Sequence, residues 1–120
     1  MAKTKLKPVL PSLKEKKRYL VFEVISKGSI SDFNSVTKAI WHKSLSMLGQ
    51  IQAAEAGIWM FPDCWDNSTN KGMIRVGHKY VDQIKASLAM INHVEDNEAI
   101  VRTIGVSGTM AKAKSKFMVS

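Results

Sequence analysis

Side chains able to do acid–base, nucleophilic or metal chemistry are few in this sequence and poorly spaced for it. The three histidines, His42, His78 and His93, are widely separated, and the single cysteine, Cys64, has no thiol or imidazole at metal-ligand spacing. Each histidine reads as a surface or cap residue rather than a general base. Glu95, Asp96 and Glu98 crowd one short stretch that could hold Mg²⁺ weakly, although a solvated turn accounts for them better. Asn67-Ser68-Thr69 matches the glycosylation acceptor pattern, but the N-terminal lysines are followed by no apolar run of a secretory signal, so the triplet reads as a turn. The expectation is a chain with no catalytic residues and no bound metal or cofactor.

What the sequence does carry is chemistry for phosphate. Ser107-Gly108-Thr109 opens a predicted helix whose first N–H groups face outward, and Lys112, Lys114 and Lys116 follow directly. Helix capping explains the Ser and Thr equally well. At the other end stand Lys14, Lys16, Lys17 and Arg18. The formal net charge is +8, and its placement matters more than its size. Residues 1–18 hold seven basic side chains against Glu15, residues 109–120 hold three with no acid, and the stretch between carries −1. A nearly neutral body with basic ends suits a polyanion, because each phosphate neutralised releases counterions. A lysine-rich solubilising tail is the plainer alternative. No stretch approaches the roughly 18 consecutive apolar residues of a membrane span. No Trp or Phe face lies opposite the N-terminal lysines to dock on a bilayer. One cysteine excludes an internal disulfide and fits a reducing compartment.

The elements that must position these residues follow from pattern. A basic arm over 1–17 contains Pro8 and Pro11 and lacks a period; one domain over 18–120 follows it. Arg18–Ile25 is β-branched and aromatic, hence a strand, with Leu20, Phe22 and Val24 on the core face and Tyr19, Val21 and Glu23 on the other. Ser31 or Asp32 caps a helix carrying Phe33, Val36, Ile40, Met47 and Leu48 at helical spacing and stopping at Gly49, with one short helical piece over 50–56. Gly57–Trp65 reads as an edge strand broken by Pro62, and Asp66–Asn70 as a turn into a third strand over Lys71–Gly77. His78–Ile91 is amphipathic, with Val81, Ile84, Leu88 and Ile91 inward. Asn92–Asn97 reads as an acidic loop, Glu98–Val106 as the fourth strand, and a short basic helix runs to about Met118. The order βαββαβ predicts an α+β, ferredoxin-like sandwich, the layout shared by the RNA-recognition module. It has a four-stranded antiparallel sheet, both main helices on one face and the opposite face free.

In that module the first and third strands present aromatics that stack bases. Here the third strand continues Met73-Ile74-Arg75-Val76 without one, so stacking from it is not expected; Tyr19 on the open face either stacks a base or packs at the edge. Arg75 and Arg102 on strands suggest phosphate or partner contacts, since charge rarely sits unpaired in a sheet. Trp41, Leu45, Leu48, Ile51, Trp59, Met60, Phe61 and Trp65 exceed what the core obviously needs, and a protein–protein surface is expected at Trp41, Leu45, Leu48, Ile51, Trp59 and Phe61, unless segment 50–56 folds over them.

Lys17-Arg18-Tyr19-Leu20-Val21-Phe22-Glu23, Gly72-Met73-Ile74-Arg75-Val76 and Arg102-Thr103-Ile104-Gly105-Val106-Ser107-Gly108-Thr109 together resemble the Pop-five family, the component 2 proteins of archaeal and eukaryotic ribonuclease P. The resemblance covers residues 16–118 and leaves the arm outside. It implies a ferredoxin-like sheet and a ribonucleoprotein whose RNA, with Mg²⁺, cleaves the 5′ leader from precursor tRNA. It also implies pairing with the thirty-kilodalton ribonuclease P protein, component 3, in a heterotetramer. The long acidic tail of eukaryotic relatives is missing, which points to an archaeal, cytoplasmic version. RNA contacts are then expected from Lys14, Lys16, Lys17, Arg18, Tyr19, Arg75, Arg102, Thr109 and the three late lysines. Two other classes share the topology: a DNA-binding regulator, and a small-molecule-binding regulatory domain whose ligand loop is not evident here.

Overall fold

The β-branched and aromatic run after Lys17 becomes the middle strand of a sheet, paired on both sides. The computed structural model describes residues 16–28 and 33–118, so the arm before Lys16 and the cap candidates Ser31 and Asp32 lie outside the described residues. In chain order the elements are β1 (Lys17–Ser26), α1 (Phe33–Ala56), β2 (Trp59–Met60), β3 (Lys71–Gly77), α2 (Val81–Ala89), β4 (His93–Val94), β5 (Asn97–Ser107) and α3 (Met110–Ala113). A wide π-type turn over Lys114–Met118 prolongs α3. The sheet order is β2-β3-β1-β5-β4, and every pairing is antiparallel. Without the two-residue β4 this is the ferredoxin-like order that βαββαβ requires.

Leu20, Phe22 and Val24 of β1, Ile74 and Val76 of β3, and Val101 of β5 point to one side, where Val36 and Ile40 of α1 and Ile84 and Leu88 of α2 cover them; all are at most 3% exposed. Burial of each such side chain stabilises by about 1.5–3 kcal/mol, so this layer dominates the fold. Trp65 closes one margin of it, its ring 6.3 Å from Phe22 and 5.7 Å from Phe33. At Gly49 the backbone of α1 leaves helical geometry, with φ 81° and ψ 167°. A Cβ there would meet nothing within 4 Å, so the conformation and not crowding selects glycine. The predicted stop and the helical piece beyond it both form, and Ala53 and Ala56 of that piece are buried.

Three features depart from the sequence pattern. β2 is only two residues long, because Pro62 opens a 3₁₀ turn over Pro62–Cys64; it lies at the sheet edge, where a proline is tolerated. The expected acidic loop is a hairpin: His93 and Val94 pair with Glu98 and Asn97 around Glu95, which takes φ 56°. Val94, fully buried, anchors it, and one apolar residue among five polar ones gives no strand period to read. Lastly, the sheet face opposite the two long helices is not free. Val21 and Met73 are 0% exposed there because α3 and the turn after it lay Met110, Ala113, Phe117 and Met118 across them. A register shift between Val21 and Phe22 marks a bulge in β5, where Val21 faces Gly105 and Phe22 faces Thr103. Phe117 packs on the bulge glycine: a Cβ on Gly105 would lie 2.3 Å from its ring.

Candidate nucleic-acid interface

Antiparallel registry brings the start of β1 alongside the ends of β3 and β5. Lys17 faces Gly77, and Tyr19 lies between Arg75 on one side and Ser107 on the other. Arg75 in turn faces Trp59 of the edge strand. Residues spread over ninety positions of sequence therefore meet in one cross-strand row, at the end of the sheet from which α3 departs. Among the described residues, Lys17 stands at this end of the sheet, where β5 leads into the basic C-terminal helix, and that helix packs on the face away from α1 and α2.

The predicted phosphate ligands fall out as follows. Lys14 lies outside the described residues. Lys16, Lys112, Lys114 and Lys116 are exposed, while Ala113 between the lysines is fully buried against the sheet. Arg18 is half-buried and its Nη1 donates to the Lys17 carbonyl at 3.1 Å. The Tyr19 ring packs against Phe61, centroids 6.1 Å apart, so edge packing occupies one side of it. Arg75 is half-buried, and its Nε has no hydrogen-bond partner among the described residues. Thr109 serves as helix cap: its Oγ1 accepts from the Lys112 N–H at 3.2 Å, and its own N–H donates to Ser107 Oγ at 3.4 Å. Capping thus uses the hydroxyls that could also have met an anion.

Arg102 is not brought to this end. It lies across from Glu23 and its Nη2 donates to Glu23 Oε1 at 2.7 Å, so its position in the sheet is accounted for by an ion pair. A second exposed pair, Lys27 with Glu98 at 2.8 Å, lies beyond it. Exposed pairs of this kind contribute about 0–1 kcal/mol.

The six apolar residues expected to form one partner surface divide between two. Trp41 and Ile51 are exposed on α1, at 40% and 78%, with Leu45 half-buried, while Leu48 packs on the main core. Trp59 and Phe61 belong to the opposite face: Trp59 is 56% exposed and Phe61 joins the cluster under α3. The helical piece over 50–56 does not cover Trp41. One contributor escaped sequence reasoning: Phe117 covers the second face, and its spacing from Met110 and Ala113 was the available signal. Trp59 was expected in a protein-partner surface, and its place opposite Arg75 arises only through strand pairing, which leaves no local trace.

Hydrogen bonds dispose of the remaining polar candidates. The His78 N–H donates to the Lys16 carbonyl at 2.9 Å and fixes the entry into β1, and His93 Nδ1 lies 2.7 Å from Asn92 Oδ1. Asp66 accepts from the Ser68 hydroxyl at 2.6 Å and the Ser68 N–H at 2.9 Å, which hold its carboxyl below the usual range and close the turn containing the acceptor-like triplet. Among the described residues no three His, Cys, Asp or Glu side chains group to hold a metal, and no helix is long and apolar enough to cross a membrane.

The model of the Rpp14/Pop5 family matches residues 18–118. Curated relatives named ribonuclease P protein component 2 include that of Thermococcus gammatolerans, 37% identical over 90% of this chain and 88% of its own length. The Pyrococcus horikoshii protein is 35% identical over 95% and 92%, and the Methanosarcina barkeri protein 34% identical over 94% and 80%. A chain of yeast ribonuclease MRP, solved by cryo-EM, superposes with a TM-score of 0.58 at 12% identity, covering 79% of this chain and 76% of that one, which shows a shared fold. A family match spanning the sheet, both long helices and the C-terminal basic helix, together with relatives above 30% identity along nearly the whole length, establishes that the chain belongs to the Rpp14/Pop5 family.

Proposed function

We propose that this chain is the RNA-binding component 2 subunit of an archaeal ribonuclease P, supporting the RNA that removes the 5′ leader of precursor tRNA. The observation that supports the reading is that Lys17 and Tyr19 stand at the end of the sheet where β5 leads into the basic C-terminal helix, in a chain whose archaeal relatives bear that name. Lys16, Lys112, Lys114 and Lys116 are exposed, and close approach of RNA strands is limited by phosphate repulsion, which such cations relieve. In this reading the catalyst is RNA with its Mg²⁺, and the chain lowers the metal concentration at which that RNA folds. Component 3 binds the apolar strip of α1 around Trp41, Leu45 and Ile51, two copies of each protein form the heterotetramer, and the complex works in the cytoplasm.

Reconstitution with ribonuclease P RNA and component 3 tests this. Leader removal at moderate Mg²⁺ is expected to accelerate when the chain is added. Replacing Lys112, Lys114 and Lys116 by alanine is expected to raise the Mg²⁺ requirement and to reduce the slope of log affinity against log salt by roughly two to three units. An unchanged Mg²⁺ titration would refute the role given to these lysines.

A further inference from the structure

Trp59 is the large aromatic side chain that the fold leaves most exposed on a sheet, at 56% of its surface. An exposed indole on a two-residue edge strand does nothing for the core, and its surroundings are not those of an ordinary apolar contact. Its cross-strand neighbour is Arg75, half-buried with an unpartnered Nε, and beyond Arg75 in the same row lies Tyr19. On the other flank the Lys17 ammonium reaches across the sheet: a Cβ built on Gly57, two residues before Trp59, would lie 3.4 Å from Lys17 Nζ. Two cationic residues thus stand near the edge strand, Arg75 opposite Trp59 in the register and Lys17 beside Gly57. The row runs Trp59, Arg75, Tyr19, Ser107 and contains no carboxylate, whereas Glu23 on this face is engaged by Arg102 further along β1.

Alternating flat aromatic and cationic groups on a face that also bears the α3 lysines match a single nucleic-acid strand, which offers base faces at intervals between phosphates. Duplex RNA hides those faces, so the same row has nothing to stack in a helix. A protein partner has a broader apolar strip on α1, where Trp41 and Ile51 are exposed on the other side of the sheet. We propose that Trp59 stacks an unpaired base of RNA, with Lys17 and Arg75 taking the flanking phosphates. The inference rests on the RNA-binding reading above and deepens it: β3 offers no aromatic to a base, and the edge strand beside it supplies one.

The test uses the full chain, wild type and with Trp59→Ala or Trp59→Phe, titrated with a single-stranded RNA of about eight nucleotides, within the range one such groove accommodates, and with a duplex of similar length. Trp59→Ala is expected to weaken single-strand binding about 5- to 100-fold, the loss for one stacked base, with duplex binding and thermal midpoint unchanged. Trp59→Phe, which keeps a ring to stack on, should recover most of the loss. Equal single-strand affinity of wild type and Trp59→Ala would overturn the proposal. So would a wild type that binds no single strand, or a Trp59→Ala effect confined to component 3. If wild type speeds leader removal while Trp59→Ala binds the oligomer normally, only the stacking site fails; if wild type leaves leader removal unchanged, the parent reading fails whatever the oligomer shows.

Discussion

Substituting Gly105 by alanine should undock the C-terminal helix. A Cβ at that position would lie 2.3 Å from both Cε1 and Cζ of Phe117 and 2.7 Å from Cδ1. Carbon pairs prefer roughly 3.5–4.0 Å, so the ring must retreat by more than an ångström. It has little room to turn in place, since the same ring helps seal Val21 and Met73, both 0% exposed. Retreat therefore opens this second apolar layer to water. Overpacking typically costs about 1–3 kcal/mol and a large apolar side chain contributes about 1.5–3 kcal/mol on burial, so the expected destabilisation is about 2 kcal/mol. For a domain of this size that corresponds to a fall in Tm of roughly 6–12 °C. Urea unfolding followed by circular dichroism would measure it. The decisive comparison is a double-mutant cycle: with Phe117→Ala present the clash has no partner, so Gly105→Ala should then cost less than about 0.5 kcal/mol, giving a coupling above about 1 kcal/mol. Additive losses, or a Gly105→Ala protein as stable as wild type, would refute the claim that the bulge glycine exists to admit this ring.

The other predictions are simpler. Arg102→Ala should lower stability by no more than about 1 kcal/mol and leave RNA affinity unchanged in filter binding, because Arg102 is engaged by Glu23 away from the basic end. Ile51→Asp, at a side chain 78% exposed, should leave the thermal midpoint within a degree or two while weakening binding of component 3 at least about fivefold by calorimetry. Asp66 is held below the usual carboxylate range by Ser68, so its contribution is present above pH about 4 and is lost as pH falls through the lowered folded value. Asp66→Asn should abolish that dependence in amide exchange of the turn before β3.

The sheet was legible because its strands carry their own period: Leu20, Phe22 and Val24 alternate, and Lys71–Gly77 stands between turn residues. Hydrogen bonding hid the rest. Thr109 and Arg102 have the residue types of phosphate ligands, yet one caps a helix and the other pairs with Glu23. Nothing local distinguishes a hydroxyl or guanidinium with a partner from one without. β4 went unread because two residues cannot display a period.

The amino-acid order alone determined the βαββαβ layout, the core stripe and the confinement of excess positive charge to the two ends, since periodicity and composition are properties of neighbouring residues. Only the tertiary structure decided that Tyr19 stands beside Ser107, where the chain turns into α3, that Trp59 stands opposite Arg75, and that α3 closes the second face over Val21 and Met73. Strand registry and a bulge at Gly105 made those choices, and both arise from pairings across many tens of residues, where no local pattern points.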